Sequence, residues 1–413
     1  MASHPQVLVA NAGTLHAFEA AAQLQRHGLL RRFATSIYVR ESMLRWLPGG
    51  VRTRVAAATA NRRRAELDEV TTTLAWPELA CLAARQLGAG DADALIEWRN
   101  TRFCAWAGRT CLEGIRLVWA FDTSSYELFV AAKAKGLSCV LDMSIAHPEL
   151  GRRLMTAYAH AHPELAPCMD ASVDDAAIAR RDAEIALADR IVVGSSFVRD
   201  SLLERGVEPS KIVVNQYGVH VEAFDGRART DARGLAPRFL FVGWLSARKG
   251  IYDLLQAWRA SGLAARGAEL VVAGGSADAL GCWHDQVPHG VTFAGRVEHA
   301  KLPALYASAD VFVFPSLFEG SARVVLEAVA SGLPVVTTPE ACDDQWVVEG
   351  ENGCRVTAGD TAALAARMQV LADDPGLRTR MSADSLARAT RFTWTTYGDR
   401  CAAVCLELLE GAR

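Results

Sequence analysis

The sequence predicts an α/β protein with two domains, each built on a parallel β-sheet that helices cover on both faces. Short apolar runs alternate with amphipathic helical stretches along the whole chain, which is the pattern of consecutive βαβ units. The 413 residues are enough for two domains of about 200 residues each. Residues 216–236 are rich in Gly, Arg and Asp and poor in periodic apolar positions, and this composition predicts the linker between the domains.

The first domain begins with the apolar run 6–10, a turn at 11–13 and a helix over 15–28. Further strands are predicted at residues 115–121, 137–142 and 190–194, with a helix over 174–188 before the last of them. The second domain has the same alternation of strands and helices, with strands predicted at 238–242, 269–273, 291–293, 310–314 and 334–337. Two such halves favour a ligand between them, at the carboxyl ends of their strands.

Composition excludes several classes of protein. Apolar residues make up 51% of the chain and charged residues 22%, which is ordinary for a globular protein. The net charge of −3 creates no field that would attract nucleic acid. The ten cysteines form no CxxC pair, so we expect reduced, buried thiols. The chain begins without a signal-peptide pattern and no apolar run reaches the ~18 residues of a membrane span, so we expect a cytoplasmic protein.

Two glutamates eight residues apart dominate the second domain. Glu319 is predicted on a strand-to-helix loop, and Glu327 about two turns into the following helix, so both carboxylates should lie on one face. Gly320, Ser321 and Ala322 leave backbone N–H groups unobstructed at the helix N-terminus, which is a typical anion site. In isolation such a pair is most often a solvated helix face, and the flanking strand and Gly320 favour a binding site instead.

Two adjacent cations supply the complementary charge. Gly243 ends the predicted strand 238–242, and Arg248 and Lys249 lie on the loop that follows it. The guanidinium fork and the ammonium group can neutralise a diphosphate, and donors placed there stabilise a departing nucleoside diphosphate most strongly in the transition state. Carboxylates at both ends and an anion site between them match the layout of a nucleoside-diphosphate sugar.

The segment from Glu319 to Glu327 resembles the EX7E motif of the GT-4 family of retaining GT-B glycosyltransferases, also called glycosyl transferases group 1. The similarity covers most of the chain, since residues 188–224 resemble the end of the family's first domain, 241–250 its phosphate loop and 391–409 its closing helix. The resemblance implies two Rossmann-like domains that face each other across a cleft.

The domain boundaries follow from this resemblance. It implies an acceptor domain over 1–215, the linker 216–236, a donor domain over 237–392 and a closing helix over 393–413 that crosses back to the first domain. The implied reaction moves a hexose from a nucleotide sugar to a saccharide or lipid-linked acceptor with retention, in polysaccharide or glycoconjugate biosynthesis.

The resemblance also implies roles for individual residues. Glu319 would contact the donor sugar and support the reacting centre, and Glu327 would hold the ribose. Arg248 and Lys249 would hold the diphosphate, and Arg296-Val297 would border the base. No metal or other cofactor is expected, because the two cations and the helix N-terminus supply the positive potential.

The acceptor side is predicted around Gly13, Thr14 and His147. His147 comes directly after the predicted strand 137–142, where active-site loops lie, and we predict it as a catalytic residue; the alternative is a structural helix cap. The family often has two glycines where this chain has Gly13 alone. It often has an acidic residue where this chain has Gln345.

An arginine-rich segment covers residues 37–64, with one acid, Glu41, and apolar residues that include Trp46. The segment is either a solvated helix face or a patch that contacts an anionic membrane surface, which would place the protein peripherally at the inner membrane. Its seven arginines are Arg40, Arg45, Arg52, Arg54, Arg62, Arg63 and Arg64.

Two other functions share this fold and these residues. A sugar-nucleotide epimerase would need no acceptor, and a non-catalytic saccharide-binding subunit would bind donor without turnover. A nicotinamide dehydrogenase is disfavoured because no GxGxxG follows the first strand.

Overall fold

A computed structural model describes residues 6–46, 48–50, 52–53, 59, 62–89, 91–169, 173–224 and 236–411. Most of the predicted linker, residues 225–235, lies outside these ranges, as does Arg54 of the arginine-rich segment. Among the described residues, no helix is both long enough and apolar enough to span a membrane.

The first sheet has seven parallel strands in the order β3-β2-β1-β4-β5-β6-β7. Its central strands β1 and β4 are buried at every position, as expected for a parallel sheet covered on both faces. The strands are β1 (Val7–Asn11), β2 (Leu30–Thr35), β3 (Thr71–Thr73), β4 (Leu117–Phe121), β5 (Ser138–Met143), β6 (Arg190–Val193) and β7 (Ile212–Val214).

The α-helices with assigned bounds among the described residues of this domain are α1 (Ala17–Arg26), α2 (Glu41–Leu44), α3 (Trp76–Gln86), α4 (Ala92–Thr110), α5 (Tyr126–Lys133), α6 (Pro148–Ala161), α7 (Asp175–Leu187) and α8 (Ser196–Leu203). Side chains cap several of their N-termini. Asp91 accepts hydrogen bonds from two backbone N–H groups of α4, and Asp174 accepts one from Ala177 of α7, which satisfies donors that a helix start leaves unpaired.

The second sheet has six parallel strands in the order β10-β9-β8-β11-β12-β13. They are β8 (Arg238–Val242), β9 (Glu269–Ala273), β10 (Val291–Gly295), β11 (Val311–Phe314), β12 (Val335–Thr337) and β13 (Gly353–Arg355). The α-helices of this half are α9 (Ile251–Ser261), α10 (Leu302–Ala307), α11 (Arg323–Ala330), α12 (Thr361–Asp373) and α13 (Pro375–Ala389), followed by α14 (Trp394–Gly411).

The structure confirms all nine predicted strands, with boundary shifts of two residues at most. It also contains strands that the pattern did not predict. β2 carries two arginines, and β3, β7 and β13 have three residues each, so none of them gives a long apolar run. The long helix α4 was missed because its apolar residues do not form one clear stripe.

The chain passes between the domains twice, and the two crossing segments contact each other. The Val219 N–H donates to the Phe392 carbonyl at 3.0 Å, and Val219 forms a parallel bridge with Thr393. A Cβ at Gly218 would overlap the backbone of Thr393 and Trp394. Beyond this point α14 packs against α1 of the first domain, and the two crossings therefore form one contact zone.

A second contact between the domains contains a buried carboxyl group. The Tyr158 hydroxyl on α6 donates to Asp253 Oδ1 on α9 at 2.9 Å, and Asp253 is 1% exposed. Burial raises the pKa of Asp253 to about 6, while the Tyr158 hydrogen bond and the charge of His162 act in the opposite direction. Burial therefore disfavours ionisation of Asp253, although the Tyr158 hydrogen bond itself favours the carboxylate.

We expect this group to make stability depend on pH. A pKa raised in the folded state means that the folded protein binds the proton more tightly than the unfolded chain, so the free energy of unfolding falls as pH rises from about 4 to about 6. The Asp253→Asn variant should lose this component, which is on the order of 2–3 kcal/mol. Denaturant titrations at several pH values measure this dependence, and the Asp373→Asn variant, which removes an exposed carboxylate, is the control. If the free energy of unfolding changes with pH in the same way in wild type and Asp253→Asn, the assignment to Asp253 is wrong.

Candidate donor site

The two cations lie on a tight turn at the carboxyl end of β8. After Gly243, residues Ala247–Lys249 form one turn of 3₁₀-helix, and Gly250 then starts α9 with a φ of 71°. A Cβ at Gly250 would overlap the Pro315 carbonyl. Glycine is therefore required both by the left-handed backbone and by the close approach to the loop after β11.

Arg248, Lys249 and Ser316 converge on one carboxylate oxygen. Arg248 Nη1 lies 2.8 Å from Glu319 Oε1, Lys249 Nζ lies 2.5 Å from it, and the Ser316 hydroxyl donates to it at 2.9 Å. Glu319 is 7% exposed. The structure thus brings together four polar side chains from the loops after β8 and β11, which are neighbours in the sheet, at the edge where ligands bind in α/β folds.

The electrostatics of this cluster favour an anion. Burial lowers the pKa of Lys249, and the Glu319 carboxylate counteracts this shift. Two half-buried cations facing one carboxylate leave one positive charge that Glu319 does not balance. A phosphate group placed beside the two cations would supply that balance through charge-assisted hydrogen bonds.

Glu327 occupies a separate, buried position. It is 5% exposed, its Oε2 accepts a hydrogen bond from the Tyr306 hydroxyl at 3.1 Å, and its Oε1 lies 3.7 Å from His299 Nε2. Helix α11 begins only at Arg323, so Glu327 lies about one turn into it. The predicted position of Glu319 on the strand-to-helix loop is confirmed. The prediction that Glu327 lies two turns into the helix is wrong, because the loop continues to Ala322.

The backbone around residues 320–322 differs from the predicted anion site. The Ala322 N–H donates to the Ala341 carbonyl at 2.9 Å, so it is not available to a ligand. A Cβ at Gly320 would overlap the Ser144 carbonyl of the first domain, and the Ser195 hydroxyl donates to the Gly320 carbonyl at 2.5 Å. Gly320 therefore lets the donor loop contact the first domain directly.

Ser321 is buried, and its hydroxyl has no hydrogen-bond partner within the described part of the chain. Arg296 and Val297 follow β10, two strands from β8 at the same edge of the sheet. Arg296 is exposed, and Val297 is half-buried against the core. The structure thus places Arg296 at the edge predicted for the base without assigning it a contact.

The position of His147 in the first domain differs from the prediction. His147 is fully buried and caps α6: its Nδ1 accepts the Glu149 N–H at 3.2 Å, and its Nε2 lies 3.1 Å from Asp182 Oδ1. Burial lowers the pKa of His147. Both ring nitrogens are engaged in the interior of the domain, so the predicted catalytic role is wrong and the structural alternative is correct.

The predicted acceptor loop lies at the carboxyl end of β1. The Gly13 N–H donates to Asn11 Oδ1 at 2.9 Å, and the Thr14 carbonyl accepts the Ala17 N–H at the start of α1. Gly13 and Thr14 are both half-buried. Their side of the first domain contains polar groups that the sequence interpretation did not single out.

These missed groups centre on Asp142, the buried carboxylate at the end of β5. His16 Nε2 lies 2.9 Å from Asp142 Oδ1, and the Trp119 N–H and the Tyr397 hydroxyl of α14 each donate to Oδ2 at 3.1 Å. The ring of Tyr217 lies 4.3 Å from that of His16. The sequence did contain a signal for this cluster. Asp142 lies at the end of a buried strand, and a buried carboxylate needs hydrogen-bond partners.

A second missed carboxylate joins the domains near Gln345. Asp343 is buried; its Oδ1 accepts the Gln345 N–H at 3.0 Å and the Gln216 amide at 3.3 Å, and its Oδ2 accepts the Ser196 N–H at 3.3 Å. Burial raises the pKa of Asp343. The acidic side chain that contacts the first domain therefore lies two residues before Gln345.

The arginine-rich segment divides into two groups. Arg62 pairs with Glu78 at 3.1 Å, and Arg64 pairs with Glu19, so these two arginines are held against the first domain. By contrast, Trp46 is 89% exposed. The exposed arginines among the described residues of the segment are Arg40, Arg45 and Arg52.

A family of known proteins matches the domain that contains the donor cluster. Residues 236–374 match the sequence profile described as glycosyl transferases group 1. The C-terminal domain is therefore similar to members of the glycosyl transferases group 1 family. The matched range contains the cluster of Arg248, Lys249, Ser316 and Glu319, and also Glu327.

Curated relatives of the chain are glycosyltransferases of this type. A glycogen synthase of Mycobacterium tuberculosis is 30% identical over 232 residues, covering 55% of this chain and 56% of the relative. A D-inositol 3-phosphate glycosyltransferase 1 of Catenulispora acidiphila is 34% identical over 268 residues, covering 60% and 64%. The chain thus spans a little over half the length of the first of these relatives.

Solved structures confirm the predicted GT-B fold along the full chain. Sucrose-phosphate synthase from Thermosynechococcus elongatus superimposes with a TM-score of 0.69 at 18% identity, covering 99% of this chain and 100% of that one. HepE of Anabaena in complex with UDP-glucose gives a TM-score of 0.63 at 17% identity, covering 98% and 100%. Both likenesses show the same fold of two Rossmann-like domains.

Proposed function

We propose that the protein transfers a hexose from a nucleoside-diphosphate sugar to a saccharide or lipid-linked acceptor, with retention of the anomeric configuration. The observation that carries the proposal is the convergence of Arg248, Lys249 and Ser316 on Glu319 at the carboxyl edge of the second sheet. Glycosyltransferase relatives and a neighbour crystallised with UDP-glucose support the same class of donor.

The proposed chemistry depends on stabilising the leaving group. As the bond between the anomeric carbon and the diphosphate breaks, negative charge accumulates on the phosphate beside Arg248 and Lys249. Cations fixed in a largely buried site stabilise that charge more in the transition state than in the bound substrate. Glu319 would orient both cations and face the donor sugar, while Glu327 would hold the ribose.

The proposed reaction needs no metal ion, because Arg248 and Lys249 take the position at the diphosphate that a divalent cation otherwise occupies. The acceptor would approach from the first domain, on the side of Gly13, Thr14 and the Asp142 cluster. The first domain would select the acceptor, and the reaction would belong to polysaccharide or glycoconjugate biosynthesis.

A donor-hydrolysis screen tests the proposal. The full-length protein is incubated with a panel of nucleotide sugars, without acceptor and with excess EDTA, and release of free sugar and of nucleoside diphosphate is followed. We expect slow hydrolysis of one donor and a rate that EDTA does not change. Formation of an epimeric nucleotide sugar would support an epimerase, and calorimetric binding without turnover on any acceptor would support a non-catalytic subunit.

We also propose contact with an anionic membrane surface through the exposed part of the arginine-rich segment, which would place the protein peripherally at the inner membrane. Arg40, Arg45 and the 89% exposed Trp46 combine positive charge with an interfacial aromatic ring, and each arginine near an anionic surface contributes roughly 1 kcal/mol. Arg62 and Arg64 do not contribute, because acids of the first domain bind them.

Vesicle co-sedimentation checks this contact. We expect binding to phosphatidylglycerol vesicles that falls in high salt, weaker binding to phosphatidylcholine, and a several-fold loss of binding in Trp46→Ala. Trp76→Ala, which removes another exposed tryptophan of the same domain, should bind like wild type. Binding that ignores lipid charge and salt would contradict the proposal.

A further inference from the structure

A cavity of about 440 Å³ lies between α4 and α7 in the first domain. Its volume falls in the range of roughly 300–1,000 Å³ that small-molecule sites occupy. Thr123, which follows β4, and Pro148, which begins α6 after β5, contribute to its wall. The α4–α7 cavity therefore opens at the carboxyl ends of two central strands, where ligands of α/β domains bind.

Four carboxylates surround the cavity. Asp93 and Glu97 lie four residues apart on one face of α4, and both are exposed. Asp91 and Asp174 cap the N-termini of α4 and α7, so each cap places a negative charge at the positive end of a helix dipole.

The cations of the cavity are already paired. Arg180 forms two hydrogen bonds of 2.8 Å with Glu127, and Arg181 pairs with Glu184. Arg181 is 8% exposed, and its Nε has no hydrogen-bond partner within the described part of the chain. The walls therefore offer a buried N–H donor and an excess of negative charge.

The cavity lies close to the donor loop through a short series of contacts. Asn100 donates to the Thr123 carbonyl at 3.1 Å, and the neighbouring Asp122 accepts a 2.8 Å hydrogen bond from the Ser144 hydroxyl. The Ser144 carbonyl abuts Gly320 of the donor loop. The segment from Ser144 to Pro148 thus faces the donor loop at one end and the cavity at the other.

We propose that the α4–α7 cavity is an acceptor subsite that binds a sugar unit carrying an amine, accepts an uncharged unit less well and rejects an acidic one. This inference rests on the proposed glycosyl transfer, since it names the class of acceptor. Carboxylates accept hydrogen bonds from hydroxyl groups and attract an ammonium group, whereas a carboxylate or phosphate on the ligand would meet four like charges.

Ligand-detected NMR tests the subsite without any donor. The full-length protein is titrated with glucosamine, glucose and glucuronate at slightly acidic pH, which changes the ligand charge while the ring stays nearly the same. We expect glucosamine to bind most tightly, with a dissociation constant at least about five-fold lower than that of glucuronate, in the range that a few exposed charge pairs provide. Equal affinities for the three sugars, or no binding of any, would overturn the proposal.

Two variants locate the binding. Asp93→Asn with Glu97→Gln should reduce the discrimination between glucosamine and glucuronate to less than two-fold, whereas Asp278→Asn with Asp285→Asn, which removes two exposed carboxylates of the second domain, should leave it unchanged. Ala94→Trp fills the cavity from an exposed position on α4 and should abolish binding of all three sugars. Retained binding in Ala94→Trp would place the sugars elsewhere. Because no nucleotide sugar is present, these results are independent of the donor-hydrolysis screen.

Discussion

Replacing Glu319 by alanine should lower the rate of glycosyl transfer by about 100-fold or more, which corresponds to roughly 3 kcal/mol of transition-state stabilisation. Glu319 is the common partner of Arg248, Lys249 and Ser316, so its loss removes the group that orients both cations. The same change frees two cations from a competing carboxylate. Affinity for the nucleoside diphosphate should therefore stay the same or increase.

Steady-state kinetics and calorimetry together check this expectation. Donor hydrolysis gives the loss of turnover, titration with the nucleoside diphosphate gives the affinity, and circular dichroism verifies the fold. Glu351→Ala, which removes an exposed glutamate of the same domain, is the matched control and should turn over normally. Near-normal turnover in Glu319→Ala would remove Glu319 from the reacting centre.

Replacing Lys249 by methionine, or Arg248 by alanine, should weaken binding of the nucleoside diphosphate roughly ten-fold or more and leave nucleoside binding nearly unchanged. A hydrogen bond between a charged donor and a phosphate contributes about 1.5–3 kcal/mol, and the nucleoside has no phosphate with which to form it. Methionine keeps most of the apolar length of Lys249, so the core around the buried stem should remain packed.

Calorimetric titration with UDP, GDP and ADP identifies the nucleotide that binds, and the matching nucleoside provides the comparison. Lys301→Met, which changes a highly exposed lysine of the same domain, controls for net charge. If diphosphate and nucleoside lose the same affinity in Lys249→Met and Arg248→Ala, the two cations stabilise the loop and do not bind phosphate.

The two-domain fold was predictable because its central strands are fully buried. A strand covered on both faces is apolar at nearly every position. Val7–Asn11, which is apolar up to its last residue, and Val311–Phe314 therefore stand out. Short edge strands such as β3 and β13 carry no such requirement. Their three residues can be recognised only after the neighbouring strand is in place.

The donor cluster was predictable for a different reason. Arg248, Lys249 and Glu319 lie directly after buried strands, and the carboxyl ends of parallel strands meet at one edge of a sheet. His147 shares that sequence context, yet its ring turns inward to Asp182 and the start of α6. The direction of a side chain on a loop depends on tertiary partners that are distant in sequence, and the pattern of residues does not contain them.

The contact of the two domain crossings at Gly218 and Thr393 limits how the cleft can open. Because both chain crossings pass through this zone, rotation about an axis through it keeps the bridge between Val219 and Thr393, whereas sliding would break it. The contacts of Tyr158 with Asp253 and of Ser144 with Gly320 would have to separate in either case. Opening then separates Gly320 from Ser144 along an arc. Substrate entry and product release would consequently depend on a single rotation of one domain relative to the other.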